Sequence, residues 1–161
     1  MSLRGNNFFH AVLAGVALVP QSVNNAAVNG VEIKEPWKKG RQISFLFLGG
    51  AFGASVTATC KVQGLKRSDG TTWEALKESD GSTDLAFTAS KLSDTAQAEN
   101  GSILGTLDMS RIDGDTYKSI RVVYDNDVAQ AALVAIGYII SDLYTHPSGT
   151  ADDLFSKQTG Q

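Results

Sequence analysis

Short apolar runs alternate along the chain with turns that are rich in Gly, Asn, Asp and Ser. The clearest pattern lies in Ser55–Leu65, where Val56, Ala58, Cys60 and Val62 alternate with Ser, Thr, Lys and Gln residues. Side chains of a β-strand point alternately to its two faces. This period of two therefore predicts a strand with one buried face and one exposed face.

Other runs are rich in β-branched and aromatic residues, which strands favour. They predict further strands at Ala11–Val19, Val31–Ile33, Gln42–Leu48, Thr71–Leu76, Gly101–Leu107, Lys118–Tyr124 and Ala129–Tyr144. The last of these is long and apolar enough for a helix. Its bulky side chains alternate with smaller ones, however, which favours a strand.

Residues that favour turns separate these strands. Asp69-Gly70 is a strong hairpin signal, because both residues tolerate the backbone of a tight turn. Pro36 lacks the N–H that a sheet ladder needs, so it marks a strand end or an edge strand. We predict a polar loop at Ser22–Gly30, a tight turn at Asp125-Asn126-Asp127 and the one helical stretch at Leu85–Asn100.

Several short strands divided by turns indicate an all-β protein. We predict an antiparallel β-sandwich, jelly-roll or immunoglobulin-like, with at most one short helix. A chain of 161 residues fits one domain over residues 1–161, with a short N-terminal arm at 1–7 and a polar C-terminal tail at 147–161. The alternation predicts a core that includes Val56, Val62, Ile120, Val122, Ile136 and Ile140.

The chain is poor in charge, with 19% charged residues and a net charge of −3, whereas soluble domains average about 25% charged residues. Such a surface is typical of a protein that covers part of it with partners. Two basic clusters, Lys38-Lys39 with Arg41 and Lys66-Arg67, lack interleaved aromatic residues. Nucleic-acid-binding proteins normally carry a basic excess or stripe, so we expect no direct nucleic-acid binding.

The apolar segment Phe8–Val19 follows Arg4 and imitates a secretory signal. A bilayer span needs about 20 apolar residues, so the segment predicts no transmembrane helix. A cleavage site needs small residues soon after the run, whereas Pro20 and Gln21 follow it. We interpret the segment as a buried first strand, with a signal peptide as the alternative, and expect a cytoplasmic origin.

Groups that commonly carry out catalysis are sparse. The two histidines, His10 and His146, lie near opposite ends of the chain, and no G-x-S-x-G motif is present. Cys60 is the single cysteine, which excludes an internal disulfide and a cysteine-rich metal site and predicts a small buried core residue. Paired carboxylates stay open as an alternative, but we expect no enzyme, no catalytic residue and no cofactor.

Two acidic segments invite a comparison with calcium sites, Asp113-Gly114-Asp115 and Asp125-Asn126-Asp127. Calcium takes six to eight oxygen ligands, and neither segment has the spacing of acids that an EF-hand loop requires. Asp, Asn and Gly favour turns through local hydrogen bonds and left-handed backbone. We therefore predict turns and no metal at both places.

Aromatic residues suggest one further kind of site, a flat platform for sugars. The candidates for such a platform are Trp37, Phe52, Trp73, Tyr117 and Tyr144. Aromatic residues at strand positions are more often part of the core, and this is the interpretation that we favour.

Several segments, taken in order, resemble a family of small β-sandwich proteins that are encoded beside the major capsid gene of tailed bacteriophages. The matching segments are Ala17–Pro20, Asn24–Gly30, the hairpin Ser68–Trp73, Tyr117–Val123 and the apolar strand Ala131–Ile140, within Ala14–Tyr144. The resemblance implies a capsid decoration protein, also called a cement or head-stabilisation protein. The resemblance also implies two kinds of partner, the lattice of the major capsid protein and neighbouring copies of this chain in a homo-oligomer. The implied location is the capsid surface of the virion.

The chain departs from the family pattern in an acidic insert, Ser79–Asn100, and in the polar tail. Two alternatives stay open at this point. One is another phage structural component, such as a fibre, neck or tail protein. The other is a carbohydrate-binding β-sandwich that uses Trp37 or Trp73.

Overall fold

The computed structural model describes residues 12–24, 26–49, 58–87, 102–126 and 132–144. These residues form ten β-strands: β1 Val12–Val23, β2 Ala27–Asn29, β3 Ile33–Lys34, β4 Gly40–Gly49, β5 Ala58–Lys66, β6 Trp73–Ala75, β7 Ala86–Phe87, β8 Ser102–Asp108, β9 Tyr117–Asn126 and β10 Ala132–Leu143. Two single-turn 3-10 helices, which the sequence did not lead us to expect, lie at Pro36–Lys38 and Met109–Arg111. No helix in the described ranges is long and apolar enough to cross a membrane.

The strands pair in a nested, antiparallel order. The first strand pairs with the last, β1 with β10, and inside this pair β2 pairs with β9, β4 with β8, and β5 with β6 and β7. Sheet A has the order β1-β10-β4-β8, and sheet B has the order β2-β9-β5-β6, with β3 on β9 and β7 on β5. This nesting is the winding of a jelly roll, so the predicted β-sandwich is confirmed and its jelly-roll form is selected.

The core lies between the two sheets and follows the alternation of their strands. In sheet A, Ile136 stands opposite Phe47 across β10 and β4, and both are 0% exposed. In sheet B, Val62 stands opposite Val122 across β5 and β9, and both are also fully buried. The core prediction is confirmed for Val62, Ile120, Val122, Ile136 and Ile140, while Val56 lies outside the described residues.

The first strand runs further than the sequence suggests. It includes Pro20, which an edge strand such as β1 tolerates because its outer N–H groups need no partner in the sheet. Register shifts on either side of Leu18 bring Ala17 and Leu18 both into the core. The predicted loop at Ser22–Gly30 is therefore wrong, because it contains the end of β1 and all of β2.

Three other boundaries differ from the sequence-based prediction. Asp125 and Asn126 do not form a turn but end β9, where they pair with β2 and β5, and Asp127 lies outside the described residues. Val31 is exposed, and the strand that was expected at Val31–Ile33 begins at Ile33. Of the stretch Leu85–Asn100, the described part holds the short strand β7 and no helix. The arm at 1–7 and the tail at 147–161 lie outside the described residues.

The hairpin from β5 to β6 forms at the predicted place. Gly70 has a φ of +68°, a left-handed backbone that glycine adopts without strain. The Asp69 carboxylate accepts hydrogen bonds of 2.9 Å from the backbone N–H groups of Thr71 and Thr72. Pro36 opens the first 3-10 turn directly after β3, so its prediction as a strand end is confirmed.

Candidate functional site

The outward face of sheet A is the unusual surface of the molecule. An antiparallel sheet that covers a core with one face normally presents polar side chains on the other. The register places Val12, Ala14, Val16, Ser22, Gln42, Ser44, Leu46, Leu48, Thr106, Asp108, Leu133, Ala135, Gly137, Ile139 and Ser141 on this outward face. Asp108 is the single ionisable residue in this set.

The apolar residues of this face are continuous across three strands. Val16 on β1 and Leu46 on β4 flank Gly137 on β10. Leu48, further along β4, stands next to Ala135. Exposure of the largest side chains is high, at 50% for Val16, 49% for Leu48 and 57% for Leu133. Connected apolar surfaces are common at sites of interaction with other macromolecules, so this face is the candidate site.

Gly137 leaves a shallow recess in the middle of the outward face of sheet A. A Cβ atom on this residue would meet nothing closer than the Gly15 carbonyl oxygen at 3.6 Å and the Leu46 carbonyl oxygen at 3.9 Å. The position therefore has room for a methyl group in ordinary van der Waals contact with its neighbours. The surface can accept a small apolar group at its centre and an approximately flat partner around it.

Uncharged polar residues border the apolar area on the β8 side. The hydroxyl oxygens of Ser44 and Thr106 lie 2.8 Å apart and form a hydrogen bond across β4 and β8. The Asp108 carboxylate accepts from the backbone N–H of Ser110 at 3.0 Å and caps the second 3-10 turn. Hydrogen bonding from Ser110 holds the pKa of Asp108 below its usual value. The one acid of this face is thus engaged locally.

Sheet B has a different outward face. Its outward positions carry Lys61 on β5 and Arg121 and Asp125 on β9, together with neutral polar residues such as Gln63. Lys61 also lies 3.5 Å from the Asp84 carboxylate. This is the usual composition of a face that stays in water. The outward face of sheet B therefore carries more charged side chains than the outward face of sheet A.

Sequence reasoning did not single out the apolar outward residues. A signal for them is present, because Gln42–Leu48 and Ala131–Ile140 carry apolar residues at both alternate positions. Strands of this kind are typical of sheets that are covered on both faces. In the described residues, no helix layer lies over the outward face of sheet A.

The acidic segment at Asp113 forms a turn, as predicted. Its carboxylate accepts from the backbone N–H of Asp115 at 2.9 Å and from the hydroxyl of Thr116 at 2.6 Å. The hydrogen bond from Thr116 is the main cause that lowers the pKa of Asp113. No group of three or more His, Cys, Asp or Glu side chains that could hold a metal occurs in the described ranges. His10 and His146 lie outside them.

Cys60 is a buried core residue, as predicted. It lies on the inward face of β5 and is 0% exposed. Burial raises the pKa of its thiol to about 12. Since the thiolate is the reactive form of cysteine, this environment makes the side chain inert.

The aromatic candidates in the described part of the chain do not share a surface. Trp37 and Tyr117 both pack against the core, and the Tyr117 hydroxyl donates to Oε1 of Glu74 at 2.7 Å. Trp73 lies on the outward face of sheet B, where the Arg121 guanidinium covers its ring. Tyr144 is 60% exposed beyond the end of β10, and Phe52 lies outside the described residues. These positions do not form a flat platform for a sugar.

Three residues of the basic clusters, Lys38, Lys66 and Arg67, form ion pairs within the fold. Arg67 donates to Oε1 of Glu35 at 3.0 Å and to the backbone carbonyls of Gly114 and Tyr117 at 3.2 Å each. Glu35 has a φ of +41°, and Lys38 also lies 2.8 Å from its carboxylate. Hydrogen bonds from these two cations lower the pKa of Glu35. Arg67 therefore joins the start of β9 to the turn after β3.

A pocket of about 440 Å³ opens beside β6 and the second 3-10 turn. Its floor is apolar, while Lys77, Glu78, Arg111 and Asp113 stand among the lining residues. The volume is within the range of small-molecule sites. Lys77 is held 2.5 Å from the Asp84 carboxylate, and charges of both signs line the pocket. Its lining therefore does not define a class of ligand.

Comparisons with known proteins give little further information. No protein-family model matches the chain, and no curated protein matches it. A chain in the structure of infectious bursal disease virus, Gx strain, is 9% identical and has a TM-score of 0.28, and the match covers 92% of this chain and 48% of that chain. For the Gt strain the identity is 10% and the TM-score 0.16, with coverages of 91% and 45%. This chain spans about half the length of those chains. TM-scores as low as these do not establish a shared fold or a shared function.

Proposed function

We propose that this chain is a structural protein of the virion, a decoration protein that binds to the assembled capsid of a tailed bacteriophage. The observation that carries the proposal is the outward face of sheet A, which is largely apolar and carries Asp108 as its single ionisable residue among the positions that the register places there. That face is suited to lasting burial against a protein lattice. We assign the chain no catalytic step.

The energetics of the face favour such a role. Complete burial of a Val or Leu side chain contributes roughly 1.5–3 kcal/mol. Val16, Leu48 and Leu133 are already about half buried in the free chain, so covering them contributes on the order of 1 kcal/mol each. Each contact with a lattice is then modest, and many contacts on one particle add up through multivalency.

The fold and the sequence support the same proposal. Jelly rolls occur in viral capsid domains and also in lectins, so the fold by itself does not select a function. The segments that resemble phage decoration proteins include the hairpin Ser68–Trp73 and the long strand at Ala131–Ile140. Residues 68–73 connect β5 to β6 and include the first residue of β6, and β10 carries part of the apolar face. We propose neighbouring copies of the chain and the major capsid protein as its partners.

Mass spectrometry of purified particles, with a copy number for each protein, tests the proposal. A decoration protein is expected in a fixed ratio to the major capsid protein and at a similar order of abundance. Recovery at only a few copies per particle would point instead to a neck, tail or fibre component. Absence from the particles would contradict a virion role altogether.

A further inference from the structure

The outward face of sheet B carries an ordered arginine between a tryptophan and a glutamine. The Arg121 guanidinium on β9 lies 4.2 Å from the centre of the Trp73 ring on β6. Its Nε and Nη2 atoms both donate to Oε1 of Gln63 on the intervening strand β5, at 2.9 and 2.8 Å. Three adjacent strands thus hold one guanidinium in a defined orientation.

The groups that hold Arg121 are all neutral. No carboxylate of the described chain lies within ion-pair distance of it, which also holds for the exposed cations Lys34, Lys39, Arg41 and Arg111. Arg121 is half-buried, and burial lowers its pKa. A cation that has lost part of its hydration without gaining a counter-ion is costly, and a carboxylate from outside would offset that cost.

The remaining hydrogen-bond capacity defines what can bind. A guanidinium has five N–H groups in one plane, and the two bonds to Gln63 use one on Nε and one on Nη2. The edge that carries Nη1 and the second Nη2 hydrogen has no hydrogen-bond partner among the described residues. This edge matches the two oxygens of a carboxylate, and stacking on the indole prevents the plane from turning away.

We propose that Arg121, supported by Trp73 and Gln63, binds the carboxylate of an Asp or Glu side chain on a partner protein. Tryptophan and arginine are also the residues that most often dominate protein–protein contacts. A stacked sugar fits less well, because Arg121 already covers a face of the Trp73 ring. The site lies on the opposite side of the sandwich from the apolar face of sheet A, so it does not depend on the proposed function.

The test is an NMR titration that follows the indole N–H signals of the two tryptophans, assigned with a Trp73→Phe variant. The probes are a short Gly/Ser peptide with two glutamates and an amidated C-terminus, the same amidated peptide with two glutamines, and glucuronate. We expect the glutamate peptide to shift the Trp73 signal saturably, with a dissociation constant in the millimolar range. The glutamine peptide should leave the signal in place.

Three variants separate a specific site from general charge attraction. Arg121→Gln should weaken binding about tenfold, equivalent to about 1.4 kcal/mol. Arg41→Gln removes the same charge from an exposed arginine and should change the affinity less than about twofold. Arg121→Lys keeps the charge but loses the planar edge, so it should weaken binding several-fold. This variant provides the test if Arg121→Gln does not fold. Equal losses for Arg121→Gln and Arg41→Gln, no shift in the parent protein, or a tighter response to glucuronate would overturn the proposal.

Discussion

The hydroxyl of Tyr117 donates a hydrogen bond of 2.7 Å to the Glu74 carboxylate. Tyr117 begins β9 and Glu74 lies in β6, so the pair spans the intervening strand β5. The tyrosine ring crosses β5 above Gly64, where a Cβ atom would lie only 2.5 Å from the ring carbon Cδ1. The hydrogen bond between Tyr117 on β9 and Glu74 on β6 therefore requires a glycine at position 64 of β5, over which the ring passes.

This geometry predicts that alanine lowers the stability of the protein at one glycine and leaves it nearly unchanged at another. Gly64→Ala should lower the free energy of unfolding by roughly 1–3 kcal/mol, because a well-packed ring must move. Gly137→Ala is the matched control, since its Cβ would have no atom closer than 3.6 Å, and we expect a change within about 0.5 kcal/mol. Denaturant unfolding of both variants measures the difference. Equal stability of the two would mean that Tyr117 does not lie over Gly64.

Tyr117 also predicts a loss of stability in alkali. Burial, and then the bond to Glu74, raise its pKa from 10 to about 12. Below pH 10 the hydroxyl is neutral in both states and its contribution to stability is complete. As the pH rises toward about 12, the unfolded chain releases this proton before the folded chain does, so the contribution is lost. Across this pH range, the free energy of unfolding should fall more steeply for the parent protein than for Tyr117→Phe. Parallel curves of this free energy against pH would contradict the hydrogen-bonded, buried position of Tyr117.

The strands of sheet B could be predicted well, because their two faces differ. On β5 and β9, apolar residues alternate with Lys61 and Arg121, and the inward positions Cys60, Val62, Ile120 and Val122 were assigned correctly. The short strand β2 could not be predicted, since Ala27–Asn29 has little strand propensity of its own. It is extended because Val28 pairs with Tyr124 on β9, a contact with a residue far along the chain.

The candidate site was harder to predict from the sequence than the fold was. On β10, Leu133 and Val134 are both apolar, yet one is 57% exposed and the other is buried. The alternation assigned Ile136 and Ile140, which share a face with Val134, to the core, but it did not indicate that apolar residues such as Leu133 on the opposite face stay exposed. Nor did it indicate the contact between Arg121 and Trp73, which lie far apart along the chain and meet because β9, β5 and β6 are neighbours.

The core of sheet A gives a further prediction. Ile136 is fully buried opposite Phe47, so Ile136→Ala should cost roughly 2–5 kcal/mol of unfolding free energy through lost burial and a new cavity. Leu133→Ala, on the outward face of the same strand, should cost less than about 1 kcal/mol in the free protein. Thermal and denaturant unfolding compare the two. A smaller loss for Ile136→Ala than for Leu133→Ala would mean that the faces of β10 are reversed.

Cys60 provides a chemical measure of the closed core. Its thiol is fully buried and has a pKa raised to about 12, so a thiol reagent at neutral pH should label the native protein only as fast as the protein unfolds. The same reagent should label the denatured chain completely and fast. Rapid labelling under native conditions would show that the sandwich opens at β5 without unfolding.

The central claim, that the outward face of sheet A binds a capsid lattice, is tested most directly by co-sedimentation with capsid shells that lack this protein. Leu48→Lys places a charge on that face, and Thr59→Lys places the same charge on the outward face of sheet B. Both variants are first checked for parent-like thermal unfolding. Because burying an unpaired charge is costly, Leu48→Lys should bind the shells at least about tenfold more weakly, equivalent to about 1.4 kcal/mol, while Thr59→Lys binds like the parent. Equal binding of Leu48→Lys and the parent protein would contradict the account.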